Sequence, residues 1–208
     1  MKTKIILASS SPRRIEMMHE HDMMFEIIPA DVDETLPLQL SLEASVMFLA
    51  LKKAMAVENM LCKKISDGEY DILCKNIITA ADTLVCCDGI LGKPADKTDA
   101  YNMLTKLRAR KHIVSTGVAM ICLAPQKNFS EKTNTNKKLV FCEKTNVFFK
   151  DYSDAEIDAY LDTPEAYDKA GSYAIQDTFS KYVDRIEGDF DNVIGFPFKR
   201  FSDNLSLF

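Results

Sequence analysis

The chain has 208 residues, with 26 Lys+Arg against 31 Asp+Glu and a formal net charge of −5. Apolar residues make up 47% and charged residues 27%, a globular balance that argues against disordered, collagenous and disulfide-scaffold classes. The acidic excess gives no long-range attraction to a nucleic-acid polymer, although a local cationic pocket for a small anion is compatible with it.

Short apolar runs alternate with helical patterns, which predicts an α/β fold. Ile5–Ala8 reads as a buried strand, followed by a helix from Pro12 to about His21. Ser41 suits the N-cap of a second helix whose apolar series is Leu42, Val46, Leu49, Ala56 and Met60. Lys63–Lys75 is polar and reads as a solvated loop. Ile77–Cys87 reads as a strand, and Asp88-Gly89 as a hairpin turn before Ile90-Leu91. A helix is predicted from about Thr98 to Leu107, then strands at Ile113–Leu123 and Leu139–Phe149. Between those strands Pro125–Lys138 is rich in Asn, Lys and Thr and reads as an inserted loop. Ser153-Asp154-Ala155-Glu156 is a capping box opening a helix to Leu161. Strands near Tyr173–Ile175 and Tyr182–Ile186 and a helix after Pro197 complete the chain.

Several residues break these local rules. Ser11 and Pro12 suit a helix start, yet Arg13 and Arg14 place two cations at the positive end of its dipole. Free N–H groups, serine hydroxyls and two guanidiniums make a phosphate cradle; the competing reading pairs the arginines with Glu16 or Glu20. In the second helix Lys53 continues the apolar stripe while Lys52 turns away, so Lys53 either snorkels past the core or serves a site. Asp82 interrupts a buried run and must be paired, protonated or metal-bound. Lys93, after the hairpin, is a candidate partner across the paired strands, either in a structural ion pair or as a phosphate clamp beside a catalytic carboxylate. Asp31, Asp33 and Glu34 form either a solvated acidic loop or a set of oxygens for Mg²⁺. Gln176 ends the segment Asp168–Gln176 with an amide able to read a base edge.

Other chemistries find little footing. No Gly-rich P-loop or Rossmann fingerprint is present, and His19 and His21, two apart, do not share a helix face. A zinc site or a His-based triad is therefore not expected. Six cysteines without a C-x-x-C pair predict free, buried thiols in a reducing compartment. The apolar run Ile5–Ala8 is too short for a secretory core, and Val118–Ala124 is far below the ~18–20 residues of a membrane span. A cytoplasmic protein without membrane partners is expected.

Six short motifs together resemble the Maf (septum-formation-protein-like) nucleotide pyrophosphatases, in family order from Ile5 to about Pro197. They are Leu7–Arg14, Ala81-Asp82-Thr83, Gly92-Lys93-Pro94, Asp168-Lys169-Ala170-Gly171, Ile186-Glu187-Gly188-Asp189 and Val193-Ile194-Gly195-Phe196-Pro197. The resemblance implies one elongated mixed α/β domain over 1–208, related to the inosine-triphosphate pyrophosphatases, with two lobes around a central cleft and often a homodimer. It implies hydrolysis of a nucleoside triphosphate between the α and β phosphates with a divalent cation, Mg²⁺ or Mn²⁺.

By position, Asp82 matches the family's catalytic base, and Glu34 a catalytic or metal-associated carboxylate; both are the implied metal residues. Ser9, Arg13, Arg14, Lys53 and Lys93 match the phosphate-binding set. Arg13, Thr83 and Gln176 match the pattern of the dTTP/UTP-specific members. The competing readings are a 7-methyl-GTP or other modified-nucleotide pyrophosphatase and a non-catalytic cell-division regulator. Asp177 stands where the family usually has Gly, and Phe196 where it has Leu.

Overall fold

The computed structural model describes residues 3–37, 40–70, 75–123 and 136–208. Its seven strands are β1 (Thr3–Leu7), β2 (Phe25–Ile27), β3 (Lys75–Cys86), β4 (Ile90–Leu91), β5 (Lys111–Leu123), β6 (Lys137–Phe149) and β7 (Val183–Glu187). Its helices are α1 (Pro12–Glu20), α2 (Leu42–Ser66), α3 (Lys97–Leu107), α4 (Asp154–Leu161), α5 (Phe190–Ile194) and α6 (Phe198–Leu205). The strands form one mixed sheet in the order β2-β1-β3-β5-β6-β7, with β4 paired to β3. β1 runs parallel to both β2 and β3, whereas β3–β4 and β6–β7 are antiparallel. The α/β expectation holds.

The chain divides into two compact units. The first comprises residues 1–82, 117–142 and 198–208. Its core packs Ile6, Ala8, Ile78, Ala80, Ala119 and Ile121 of the sheet with Ala50, Ala54, Val57 and Leu61 of α2. Gly117 permits a close approach there. A Cβ at that position would lie 2.3 Å from the Val46 carbonyl oxygen, so any side chain would push β5 and α2 apart. The second unit comprises 83–116 and 143–197. Its core is aromatic, with Phe149, Tyr152, Tyr160, Tyr173, Phe179 and Tyr182 around Leu104 and Leu107.

Four expectations need correction. α2 continues through Lys63 and Lys64 to Ser66, where those cations complement the negative helix end and Gly68, at φ 74°, turns the chain away. The loop reading therefore fails for Lys63–Ser66, and residues 71–74 lie outside the described residues. Tyr173–Ile175 is not a strand. Gly171 and Ser172 both adopt left-handed backbone, at φ 71° and 66°, and the chain turns instead of pairing. Tyr173 is held from its side chain, its hydroxyl 2.6 Å from His112 Nε2. Burial lowers the His112 pKa to about 4 and raises that of Tyr173. Of the 125–138 insertion, residues 125–135 lie outside the described residues, and β6 already begins at Lys137. The five described cysteines are free, but only Cys87 is buried, and Cys62 on α2 is exposed. No helix among the described residues is long and apolar enough to cross a membrane.

Candidate active site

In parallel α/β sheets, ligands bind beyond the carboxyl ends of the strands, where adjacent strands send their connections in opposite directions. β1 leads through α1 to β2 on one side, and β3 leads away on the other. Ala8 N–H still donates to the Thr79 carbonyl at 2.8 Å. Ser9 and Asp82 therefore emerge just past the point where the two strands stop sharing ladder bonds.

Ser9 is buried, and its Oγ accepts from Ser11 N–H at 3.2 Å and from Arg14 Nη1 at 3.3 Å. Arg14 Nη1 also donates to the Ala81 carbonyl at 2.9 Å. Arg14 is thus drawn along the strand ends, which excludes its pairing with Glu16 or Glu20 as the explanation of its position. Burial lowers the Arg14 pKa most; Asp82 and Glu34 work to raise it and Arg13 to lower it. Arg13 is half-buried, and it makes no hydrogen bond or ion pair among the described residues. Ser11 holds the N-cap position without a side-chain capping bond, so the start of α1 keeps N–H groups for another acceptor.

The Asp82 partner is Lys53 of α2, not Lys93. Lys53 Nζ lies 2.5 Å from Asp82 Oδ1 and 2.9 Å from Glu34 Oε1. The Lys53 and Asp82 side chains are 11% and 10% exposed, whereas Glu34 is 54% exposed. The inward lysine of α2 thus serves a charged cluster instead of snorkelling. Arg14 and Lys53 lie beside Glu34 and Asp82, and Arg13 lies close enough to Arg14 to lower its pKa, so three cations stand beside two carboxylates, the local positive excess an anion needs.

Of the acidic loop, only Glu34 joins that cluster. Asp33 closes a turn, accepting from Thr35 Oγ1 at 2.6 Å and from Thr35 N–H at 2.9 Å, and these bonds lower its pKa. Asp31 is exposed. Among the described residues no group of three or more Asp, Glu, His or Cys gathers as a metal site. Sequence reasoning missed Lys52. Its ammonium donates to the Asp33 carbonyl and lies 4.0 Å from Asp33 Oδ2, so adjacent lysines hold adjacent residues of one loop. Only the extended reach of loop 31–35 against α2 reveals this, and no local pattern signals it. Lys52→Ala is expected to loosen Glu34 and lower kcat/KM roughly 2–10-fold, the scale of one hydrogen bond. Lys53→Ala should cost more, and equal effects from the two would refute the distinction between loop anchor and cluster member.

The remaining candidates lie in the second unit. Lys93 is exposed beyond β4, and the Gly92 carbonyl accepts from Gly171 N–H at 3.0 Å. Gln176 is exposed and makes no hydrogen bond among the described residues. The segment carrying Gln176 is braced on both sides. Lys169, 9% exposed, reaches Asp168 Oδ1 at 2.6 Å, Asp177 Oδ2 at 3.0 Å and the Glu165 carbonyl. Glu165 Oε2 accepts from Thr178 Oγ1 at 2.8 Å. Asp177 has φ −90°, so the usual family glycine is replaced without backbone strain, and its carboxylate is neutralised by Lys169. The half-buried Thr83 has its hydroxyl 2.9 Å from Thr116 Oγ1. No local pattern marks Thr116, whose partners are distant in sequence, and Lys169 stands in a turn whose folding alone gathers Glu165, Asp168 and Asp177 around it.

A family model described as Maf-like protein matches residues 4–208. The chain belongs to this family. A dTTP/UTP pyrophosphatase of Caldicellulosiruptor bescii is 44% identical over 198 residues, covering 95% of this chain and 90% of the relative. Proteins of the same name from Alkaliphilus oremlandii and Bacillus cereus are 41% and 40% identical. The first of these covers 93% of this chain and 90% of its own length, the second 99% and 95%. Among solved structures, the Staphylococcus aureus Ham1 protein aligns over 98% of both chains at 13% identity and TM-score 0.43, too slight a likeness to carry an inference.

Proposed function

We propose that this protein is a nucleoside triphosphate pyrophosphatase that hydrolyses dTTP and UTP to the monophosphate and pyrophosphate. The observation that carries the reading is the buried Asp82–Lys53 pair, joined by Glu34 and set beside Ser9 and Arg14 at the strand ends. The names of the relatives supply the substrate class. In this reading Ser9, Arg13, Arg14, Lys53 and Lys93 hold the triphosphate, with the α phosphorus left open to water. Asp82 accepts the proton of that water, and Lys53 holds the carboxylate in place until substrate arrives. Prearranged cations stabilise the charge that develops on the phosphoryl oxygens, with little reorganisation during the reaction.

The residues present fit a divalent cation, because Glu34 and Asp82 both direct an oxygen at the same ammonium and a phosphate chain supplies further oxygens. Glu34 and Asp82 would hold Mg²⁺ or Mn²⁺, which when bound spreads the charge of the triphosphate. Thr83, Gln176 and Arg13 select the base. The same reading carries one functional domain over the chain, a homodimer and a cytoplasmic place of action, for which the family resemblance is the support.

Turnover of UTP, dTTP, CTP, GTP and 7-methyl-GTP with Mg²⁺ or Mn²⁺, with products separated by chromatography, tests the proposal. UTP and dTTP should lead and yield monophosphate and pyrophosphate without an orthophosphate burst. A diphosphate product would assign another reaction, a leading purine nucleotide another substrate, and no turnover a binding or regulatory role.

A further inference from the structure

We propose that Lys169 is a positioning residue whose ammonium fixes the turn that carries Gln176 and so sets the base preference, without itself holding a phosphate. The proposal rests on the assignment of Gln176 to base selection under the proposed function. Every residue it involves belongs to the second unit. The motif Asp168-Lys169-Ala170-Gly171 has no task in the chemistry assigned to Asp82 and its neighbours.

Gln176 is the third of four residues in the turn 174–177, which Asp177 N–H closes onto the Ala174 carbonyl. At 3.4 Å that bond is long and weak, so the turn needs a further hold. On its leading side Ala174 and Ile175 are buried. On its trailing side the hold is Asp177. Asp177 Oδ2 is buried and takes no hydrogen bond. A buried carboxylate oxygen needs an opposite charge, and Lys169 Nζ stands 3.0 Å from it.

The same ammonium donates to Asp168 Oδ1 at 2.6 Å and to the Glu165 carbonyl. Glu165 in turn holds the residue that follows Asp177. Its Oε2 accepts from Thr178 Oγ1 at 2.8 Å and from Thr178 N–H at 3.2 Å. One cation thereby ties together residues 165, 168 and 177, and the exposed Gln176 side chain is carried by a turn anchored through its neighbours.

A buried lysine in a pyrophosphatase could instead grip a phosphate. Its surroundings argue against that here. Lys169 is buried, and its ammonium faces two carboxylates and a carbonyl. An ammonium has three protons and no lone pair, so an arriving phosphate would have to displace one of these acceptors and meet a carboxylate beside it.

Lys169→Met keeps an unbranched stem and removes the ammonium. Its kcat/KM for UTP should fall roughly 5–150-fold, the scale of a buried polar group left without its partner, while the slow turnover of GTP stays within about twofold. A double-mutant cycle decides between positioning and the other roles. In a Gln176→Ala background Lys169→Met should lower kcat/KM by no more than about twofold further, because the group it positions is gone. Loss of packing or of a phosphate contact would slow GTP as well and would persist in that background. If Lys169→Met does not fold, Asp177→Ala enters the same cycle with the same expectation. Asp177→Asn, whose amide oxygen still accepts from the ammonium, should restore most of the preference. Additive losses in the cycle, or an unchanged ratio of UTP to GTP in the single variant, overturn this proposal while leaving the pyrophosphatase reading intact. A wild-type enzyme that does not prefer UTP to GTP, or a Gln176→Ala variant with the wild-type preference, overturns the assignment of Gln176 as well.

Discussion

Asp82→Asn is expected to lower kcat by ~10²–10⁴-fold, the usual loss when a general base is removed. The substitution keeps the shape of a side chain that is only 10% exposed and removes the charge that attracts a proton from water. Folding should survive because the surrounding contacts do not depend on that charge alone. Lys53 keeps Glu34 at 2.9 Å, and Arg14 keeps the Ala81 carbonyl at 2.9 Å and Ser9 Oγ at 3.3 Å. The cations assigned to the triphosphate remain, so KM should change far less than kcat. Steady-state kinetics on UTP with a thermal unfolding curve for the same preparation provide the check. Near-normal turnover would remove Asp82 from the mechanism. Collapse of both activity and cooperative unfolding would make it a structural residue.

Local chemistry made the helices of this chain legible, and long-range pairing hid the rest. Ser153 and Glu156 form both halves of a capping box, Ser41 caps α2 through Ala44 N–H, and these helix starts fall where the sequence places them. β2 and α5 escaped because three and five residues hold too little periodicity to stand out. The alternation at Tyr173–Ile175 misled because it reflects aromatic packing, with the Tyr173 ring 4.8 Å from that of Phe149, and not a strand ladder. At the candidate site, Asp82, Lys53 and Arg14 stood out as charges where apolar or neutral residues belong. Their pairing did not: the hairpin pointed to Lys93 as the partner of Asp82, whereas α2, packed on the sheet, brings Lys53 to it. Thr116 was hidden for the same reason, and Lys169 because a turn, not a periodic element, gathers its partners. A threonine in an apolar strand and a lysine in a turn are unremarkable until the partners that use their protons are known.

Gln176→Ala should lower kcat/KM for UTP and dTTP by roughly 5–150-fold, as expected when the partner of a base edge that becomes buried is removed. A uracil edge presents acceptor, N3–H donor and acceptor. The amide supplies both a donor and an acceptor, and the Thr83 hydroxyl can adjust to either. Gln176 suits this test because its side chain is exposed and makes no hydrogen bond among the described residues, so its removal breaks nothing in the fold. The backbone on either side is held independently. Ile175 is buried, Asp177 is bound to Lys169 at 3.0 Å, and Thr178 is tied to Glu165 at 2.8 Å. Stability should therefore be unchanged within ~0.5 kcal/mol, as for most surface substitutions. The loss should be selective by base: UTP and dTTP fall, while the slow background turnover of GTP stays where it was, because the phosphate-binding residues are untouched. Equal slowing of every nucleotide would mean that Gln176 acts on the phosphates or on the loop. In that case the preference for pyrimidines would have to be sought in Arg13 and Thr83 instead.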